Sequence, residues 1–251
     1  MTVQTEADRK TVKIETHCHS AGSSDCATTA AERIVSVYKT HGYGGLVLTN
    51  HYCAKHFDKY PGSTRREKLD YYFSVAEHMR RCCNDAGLKF FLGAEVCVKV
   101  PEGYAEYILY DFDKSFFYDN PPLYELTQRE LFALADGAGV FMYQAHPFRD
   151  EVYLGDPRFM HGAEAFNGHF HHANRNDKAT RFCKDNSLIQ MSGTDYHHFG
   201  QPVTGGLLVP GDIEDEHALK ECILSGGARL IRRQKLYEKV REKYLAESKK
   251  C

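Results

Sequence analysis

Residues 12–17 read VKIETH, and they are followed by TTAAERIVSVYKTHG (28–42) and GLVLTNH (45–51). The first and third stretches are short runs of β-branched and other apolar residues, which predict buried strands. The second has apolar residues at helical spacing, and its Thr29-x-x-Glu32 pattern predicts a capping box at the helix start. Strand, helix and strand in this order are typical of a parallel βαβ unit.

The same alternation continues along the chain. A long helix is predicted over 65–86, and a second T-x-x-E pattern, at Thr127 and Glu130, predicts another capped helix. Further strands are predicted at 89–96, 104–112, 139–147, 163–167, 188–195 and 205–210, and further helices near 173–186, 215–225 and 233–247. About seven or eight strands alternating with helices indicate a parallel sheet in a single α/β domain over 1–251, and favour a closed (β/α) barrel over an open sheet.

Composition and charge exclude several classes of protein. The chain of 251 residues is 42% hydrophobic and 26% charged, which is typical of a globular protein and not of a disordered, collagenous or coiled-coil chain. The 32 Lys and Arg nearly balance the 34 Asp and Glu, for a formal charge of −2. Because long nucleic acids usually demand a basic excess, we expect no long nucleic acid as a partner.

The sequence also predicts a cellular compartment. No stretch approaches the ~18 uninterrupted apolar residues of a membrane helix, and the first residues, MTVQTEADRK, are polar and unlike a signal peptide. The nine cysteines are odd in number and contain no C-x-x-C pair, which is typical of reduced thiols. We therefore expect a cytoplasmic protein without membrane association.

The 14 histidines are the unusual part of the composition. His17 and His19 end the first predicted strand as H-x-H, and the period of two in a strand points both side chains to the same side. Four more strands end in side chains of the metal-ligand type: His51, Glu95, His146, and Asp195 with His197. The carboxyl ends of parallel barrel strands converge on one rim, so this recurrence predicts a shared metal centre. Nitrogen and carboxylate ligands favour Zn²⁺, Mn²⁺ or Fe²⁺ over Ca²⁺ or Mg²⁺.

Five motifs in this order resemble those of the polymerase and histidinol phosphatase (PHP) family. They are HCH (17–19), TNH (49–51), GAE (93–95), AHP (145–147) and GTDYH (193–197). The resemblance extends from residue 14 to about residue 200. It implies a distorted (β/α)₇, TIM-like barrel and a centre of two to three divalent ions that hydrolyses phosphoesters.

The resemblance also assigns ligands to three ions. It implies that the first ion is bound by His17, His19, Glu95 and Asp195. Glu95 would bridge to a second ion that His146 also binds. The third ion would be held by Asp25, His51 and His197.

This sequence departs from the family pattern at two places. The family commonly has another histidine between the positions of Glu95 and His146, and this chain has none there. Either Glu106 or Tyr107 substitutes for it, or the second ion is weakly held. Asn50 stands where the family usually has Asp; an Asn can still orient His51 by hydrogen bonding, but it removes a charge near the ligand.

The expected chemistry is attack on phosphorus by a metal-bridged hydroxide held at Glu95 and Asp195. His197 or a nearby histidine would protonate the leaving alkoxide. Arg149, in HPFR directly after His146, is the first choice for a phosphate clamp, because a guanidinium matches two phosphate oxygens. A solvated loop arginine is the alternative interpretation.

The run FNGHFHHANR (166–175) is predicted to line the substrate side of the pocket. Its candidate substrate-binding residues are His169, His171, His172 and Arg175. Lys55 and His56, which follow His51, are further candidates. The expected substrate is a small phosphomonoester or a nucleotide. Two alternatives stay open: an amidohydrolase or deaminase on the same kind of barrel, and a metal-stabilised scaffold that binds a partner or a ligand without turnover.

Overall fold

The computed structural model describes residues 10–101 and 103–248. The strands in this part of the chain are β1 (Thr11–Cys18), β2 (Gly45–Leu48), β3 (His51–Tyr52), β4 (Lys89–Val100), β5 (Gly103–Tyr110), β6 (Phe141–Gln144), β7 (Gly162–Asn167), β8 (Ile189–Gly193), β9 (Gly205–Pro210) and β10 (Arg229–Arg232). The helices are α1 (Ala31–Thr40), α2 (Ala54–Phe57), α3 (Arg65–Ala86), α4 (Ser115–Tyr118), α5 (Gln128–Gly137), α6 (Asn176–Asp185), α7 (Glu216–Leu224) and α8 (Gln234–Ser248). Short 3-10 helices cover Leu123–Glu125 and Pro157–Phe159.

Seven strands form a nearly closed ring. They pair in the order β1-β2-β4-β5-β6-β7-β8, and the short β3 continues the pairing along β4. A parallel bridge between Cys18 and Tyr196 brings the end of β8 back to β1, and the Thr16 hydroxyl donates to the Ser192 carbonyl at 2.5 Å. β9 and β10 extend the sheet outside the ring from the first half of β1. The predicted distorted (β/α)₇, TIM-like barrel is confirmed.

The prediction that the sheet is parallel throughout is wrong at two strands. β5 runs antiparallel to both β4 and β6, and β9 runs antiparallel to β1 and β10. The connection between Val100 and Gly103 is too short for a helical crossover, which needs a dozen or more residues, so these two strands can only form a hairpin. The barrel is therefore distorted by one reversed strand.

One of the two predicted capping boxes is present at the start of its helix. Thr127 and Glu130 form the predicted capping box at α5. The box predicted at Thr29 does not form, because α1 begins later, after Ala30, and the Thr29 hydroxyl instead donates to the His197 carbonyl at 3.2 Å. A capping box that the sequence analysis missed starts α3 at Thr64.

A core of apolar side chains fills the floor of the ring. Phe91 on β4 and Met191 on β8 are fully buried, and Phe91 lies four residues before Glu95 on the same face of its strand. The outer face of the strands packs on the helices, as Leu46 and Leu92 do. The barrel interior is thus apolar around Phe91 and Met191 and polar at the ends of the strands, where the acids of the predicted centre lie. None of the described helices is long and apolar enough to cross a bilayer.

Candidate metal centre

The last residues of β1 and the turn after it supply two histidines to the top of the ring. His17 and His19 are fully buried, and their Nε2 atoms lie 3.0 Å apart. Cys18, between them, points the other way into the core against the helices. The alternation of the strand thus places both imidazoles inside the barrel, as predicted.

Glu95 of β4 stands at the middle of the cluster. Its Oε1 lies 3.2 Å from Nε2 of both His17 and His146. Its Oε2 lies 2.7 Å from Nδ1 of His51 and 3.5 Å from Nε2 of His19. One carboxylate therefore reaches four histidines from three different segments of the chain.

Asp195, which follows β8, faces the same histidines from the opposite side. Its Oδ1 lies 3.3 Å from Nε2 of His19 and 3.4 Å from Nε2 of His17. His197 lies next to it, with Nδ1 3.2 Å from Oδ1 of Asp195 and Nε2 3.3 Å from Nε2 of His51. All predicted ligands except Asp25 thus converge on one space.

Two of these residues have unusual backbones. His146 has φ of +29° and Asp195 has φ of +52°, in the left-handed region that residues other than glycine rarely adopt. Such residues cost of the order of 1–3 kcal/mol each and cluster at functional sites. The turns after β6 and β8 bear this cost while directing the two side chains into the centre.

The donor set fits divalent cations. Four groups of three residues each bring ligand atoms within 4.8 Å of one another: His19, His51 and His197; His17, His19 and Asp195; His17, Glu95 and His146; and His51, Glu95 and Glu106. Both oxygens of Glu95 and Oδ1 of Asp195 are buried without a hydrogen-bond partner. A buried carboxylate without hydrogen bonds is costly unless a cation compensates it. The cluster therefore has the chemistry of a metal centre.

The charges of the cluster lower the pKa of Glu95 and raise the pKa of His17. Burial raises the pKa of Glu95, but the charges of His17 and His51 outweigh burial and hold it well below its usual range. Burial lowers the pKa of His17, but Glu164, Asp195 and Glu95 raise it well above the ordinary value. The carboxylates are thus held in the ionised form that binds cations.

Glu106 of β5 is the side chain that reaches the place of the missing histidine. Its Oε2 lies 3.4 Å from Nε2 of His146, and its Oε1 lies 3.8 Å from Nδ1 of His51. Burial and the neighbouring Glu95 raise its pKa. Tyr107 faces the other side of the strand and is buried in the outer core. Of the two candidates, the geometry brings Glu106 to the centre.

Two predicted roles are corrected. Asp25 is exposed, and its carboxylate pairs with the ammonium of Lys59 instead of facing His51. Asn50 does not hold the His51 ring; its Oδ1 accepts the backbone N–H of Ser20 at 2.9 Å. This hydrogen bond holds the turn that follows His19, so Asn50 supports the position of His19 and not that of His51.

Sequence analysis missed Glu164 of β7. This acid is almost fully buried, and one of its oxygens lies 2.9 Å from Nδ1 of His17. Its other oxygen accepts the backbone N–H of His146 and the side-chain N–H of Asn167, both at 2.8 Å. The available signal was an acid inside the otherwise apolar run AEAF, a place where a charge needs partners.

A cavity of about 650 Å³ opens onto the cluster. Its lining includes Lys55, His56, Lys99, Tyr104, Glu106, Tyr124, Arg149, His169, His171, His172 and His197. Arg149 is mostly buried; its Nε donates to Asn174 at 3.0 Å, and its Nη2 donates to Asn167 at 3.1 Å and to Asp195. Cations and imidazoles thus surround the space next to the acids.

The structure places Arg175 away from this cavity. Its Nη1 donates to the Phe148 carbonyl at 2.7 Å, and its Nη2 pairs with Asp150. The predicted substrate contact of Arg175 is therefore corrected to an anchor between two loops. Of the same run, His169 is buried beside His197, with 5.3 Å between the ring centroids.

The backbone matches several solved structures. PsfC from Pseudomonas syringae has a TM-score of 0.65 at 16% sequence identity, covering 93% of this chain and 99% of that one. A two-domain protein from Bacteroides vulgatus, which contains a predicted PHP-like metal-dependent phosphoesterase, has a TM-score of 0.63 at 19% identity. This chain has a PHP-like barrel fold. The match covers 88% of this chain and 65% of the Bacteroides protein.

The backbone also matches Endonuclease Q from Pyrococcus furiosus, a lesion-specific endonuclease. That match has a TM-score of 0.57 at 14% identity and covers 88% of this chain and 58% of the endonuclease. The chain thus spans less than two thirds of both larger proteins. No family model and no curated protein matches the sequence. At these identities the likeness establishes the fold alone.

Proposed function

We propose that this protein is a metal-dependent hydrolase that cleaves a small phosphomonoester or a nucleotide. The observation that carries the proposal is the position of Glu95, whose two unpartnered oxygens face four histidines beneath a cavity lined by cations. The buried carboxylate and imidazoles need a polyvalent cation between them, and the cavity above them suits an anionic substrate. Phosphoric esters are anions that divalent ions activate.

Each proposed ion would have its own set of ligands. The first set is His17, His19, Glu95 and Asp195, the second is Glu95, His146 and Glu106, and the third contains His51 and His197. When bound, Zn²⁺, Mn²⁺ or Fe²⁺ ions lower the pKa of water and offset the charge of the phosphate. Two to three ions are expected from the number of groups.

Arg149 would bind the phosphate. Its three hydrogen bonds use Nε and Nη2, which leaves Nη1 for a ligand in the cavity that the residue lines. Since Nη2 also pairs with Asp195, the same guanidinium holds an acid of the first ion in place. A bound phosphate would therefore lie next to the metal ligands.

With two ions bound, His197 is the proposed donor of a proton to the leaving oxygen; when His197 binds the third ion, a neighbouring histidine takes this role. Its backbone N–H donates to Gln201 at 2.9 Å, and the ring lies against Asp195, so its position is fixed. Burial lowers its pKa, but the charge of Asp195 raises it to about 9. His169, whose pKa burial lowers, is the other histidine within reach of the same space.

The cavity favours a small substrate. About 650 Å³ is within the range of small-molecule sites. Lys55, Lys99 and Arg149 supply positive charge at its wall, and Tyr104 and Tyr124 supply aromatic surface for a base or a ring. The near-neutral chain offers no basic excess for long nucleic acid. Eight cysteines of the described residues are free thiols, which suits a reducing compartment such as the cytoplasm.

The test is hydrolysis of an aryl phosphate by purified protein reconstituted with Zn²⁺, Mn²⁺ or Fe²⁺, followed by a screen of phosphorylated metabolites. We expect turnover that requires metal and is lost in Glu95→Ala but kept in Arg175→Ala, the matched variant outside the cavity. Cleavage of amides without phosphatase activity would indicate an amidohydrolase. Binding of a ligand without turnover would indicate a non-catalytic scaffold. Cleavage restricted to DNA would contradict the proposal that the substrate is small.

A further inference from the structure

Helix α8 turns one face to the rest of the protein, although most of its side chains are exposed. Tyr237 is buried, with 5% of its surface exposed, and Arg241 and Tyr244 are half-buried. Positions 237, 241 and 244 follow the i, i+4, i+7 spacing of a single helix face. This face lies on the loop 168–175 between β7 and α6, which we call the histidine loop after His169, His171 and His172.

The hydrogen bonds that the structure describes between α8 and the histidine loop all end on the loop backbone. The Tyr237 hydroxyl donates to the His172 carbonyl at 3.0 Å and accepts the Asn174 N–H at 3.5 Å. Arg241 donates from Nη1 to the Phe170 carbonyl at 3.0 Å. Because a loop has no regular ladder of hydrogen bonds, its backbone relies on partners of this kind. α8 therefore fixes the path of the histidine loop.

The ring of Tyr244 supports side chains of the same loop. Its centroid lies 4.6 Å from that of His171 and 5.5 Å from that of Phe170. His171 also lines the cavity above the cluster, together with His169 and His172. The histidine loop is therefore a thin wall between α8 and the proposed substrate site.

Asn174 connects α8 to the proposed phosphate-binding residue. Its backbone N–H donates to Tyr237, and its Oδ1 accepts Nε–H of Arg149 at 3.0 Å. Its side-chain amide donates to the carbonyls of His169 at 3.0 Å and Asn167 at 3.1 Å. Since Asn174 is only 1% exposed, water does not readily replace these partners. A displacement of α8 would thus affect both Arg149 and the histidine loop.

We propose that α8 positions the substrate-binding wall of the cavity, with Tyr237 and Arg241 as its positioning residues. The inference rests on the proposed function and extends it to a helix outside the barrel. Both residues act through the histidine loop and Arg149, not by contact with the substrate. In the described part of the chain, no hydrogen bond of α8 reaches a proposed metal ligand. Substrate binding should therefore depend on this face of α8, whereas metal binding should not.

The experiment compares four variants of the full chain, loaded with the ion that gives the highest turnover, or with Zn²⁺ if none does. Tyr237→Phe removes the hydroxyl and keeps the buried ring, Arg241→Ala removes the guanidinium, and Arg241→Lys restores one donor. Lys239→Ala, on the exposed side of α8, is the matched control for loss of a basic side chain from the helix. The readouts are KM and kcat for an aryl phosphate, Kd for inorganic phosphate by calorimetry, metal content, and hydrogen exchange of peptides covering 168–175.

KM and the Kd of phosphate are expected to rise about three- to tenfold in Tyr237→Phe and Arg241→Ala, because each variant loses hydrogen bonds that hold the wall. The metal content should stay the same, and kcat should change by about twofold at most, since the metal ligands are untouched. Arg241→Lys should recover part of the loss, and Lys239→Ala should behave as the wild type. Exchange at 168–175 should be faster in Tyr237→Phe and Arg241→Ala than in the wild type.

The outcomes separate this inference from the proposed function. Unchanged KM and phosphate Kd in Tyr237→Phe and Arg241→Ala overturn the role of α8, even if these variants are less stable, and so does an equal effect in Lys239→Ala. If the wild type binds phosphate without turnover, the proposed hydrolase falls, and the phosphate Kd of the variants still decides the role of α8. A wild type that neither binds phosphate nor hydrolyses the ester overturns both. Should Arg241→Ala fail to fold, Tyr237→Phe decides alone.

Discussion

Glu164 holds His17 by Nδ1, at 2.9 Å, on the side of the ring away from Glu95. When an ion is bound, the carboxylate would hold the proton on Nδ1, which leaves the lone pair of Nε2 for the ion. Because Glu164 also accepts the backbone N–H of His146, one acid outside the ligand set positions two histidines of the centre.

Glu164→Gln is expected to weaken metal binding by about 10–100-fold, because a neutral amide orients and polarises the imidazole less well. Isothermal titration with Zn²⁺ measures the effect, and KM at saturating metal should stay unchanged. Glu242→Gln, on the exposed face of α8, is the matched control. Wild-type metal affinity in Glu164→Gln would contradict the positioning role.

Glu106→Ala should lose one equivalent of metal, because Glu106 is the carboxylate that reaches His146 from β5. Glu106→His should keep that equivalent, since an imidazole can replace the carboxylate as ligand. Elemental analysis after mild chelation gives the count. Tyr107→Phe, the adjacent residue on the opposite face, should retain the wild-type number of ions; if it loses one, the assignment of Glu106 fails.

Arg149→Ala should lower kcat/KM about ten- to hundredfold, or ~1.5–3 kcal/mol, through a higher KM and a lower kcat. Metal content should persist, because the Asn167 amide still donates to Asp195 at 3.4 Å. Arg149→Lys should recover part of the loss, as an ammonium is not a planar fork. Arg175→Ala is the control, and steady-state kinetics that cannot tell Arg149→Ala from it would place the clamp elsewhere.

Metal should stabilise the fold. Free Zn²⁺ at a hundred times its Kd is expected to raise the free energy of unfolding by about 2.7 kcal/mol for one site, because the unfolded chain lacks the assembled ligands. Glu95→Ala should show a smaller rise in Tm by differential scanning fluorimetry. An identical rise in both proteins would mean that the stabilising ion binds outside the cluster.

Thr127→Ala should lower the free energy of unfolding by about 1 kcal/mol, because the capping box of α5 is lost. Thr64→Ala should have a similar effect at α3. Chemical denaturation at saturating metal measures both. Gln128→Ala would be a poor comparison, since its amide donates to the Asp156 carbonyl, so the exposed Arg129→Ala is the better control.

The sequence predicts well what depends on short-range pattern. The helix over 65–86 begins and ends where predicted, at Arg65 and Ala86, because its apolar residues keep the helical spacing over this range. The histidines and acids at strand ends converge because a barrel brings the ends of its strands to one rim. Neither result required knowledge of contacts between distant residues.

Other features depend on three-dimensional contacts that no local pattern encodes. Asp25 pairs with Lys59, 34 residues away, and this contact turns it away from the cluster. Glu164 looks like a misplaced charge in a buried strand until His17 is known to lie opposite it. A T-x-x-E pattern at Thr29 was equally compatible with a cap and with a tertiary bond, and the tertiary bond formed.

Because β5 is reversed, the shape of the cavity entrance can vary independently of the position of the metal ligands, whereas the two are coupled in an all-parallel barrel. Its hairpin with β4 carries Lys99, Gly103 and Tyr104 to the wall of the cavity, while Glu106 lies deeper on the same strand. No helix follows β4 directly, so residues can be inserted at this hairpin without displacing a crossover or a metal ligand. Among proteins with this fold, the width of the cavity entrance can thus diverge while the positions of the metal ligands deeper in the barrel stay constant.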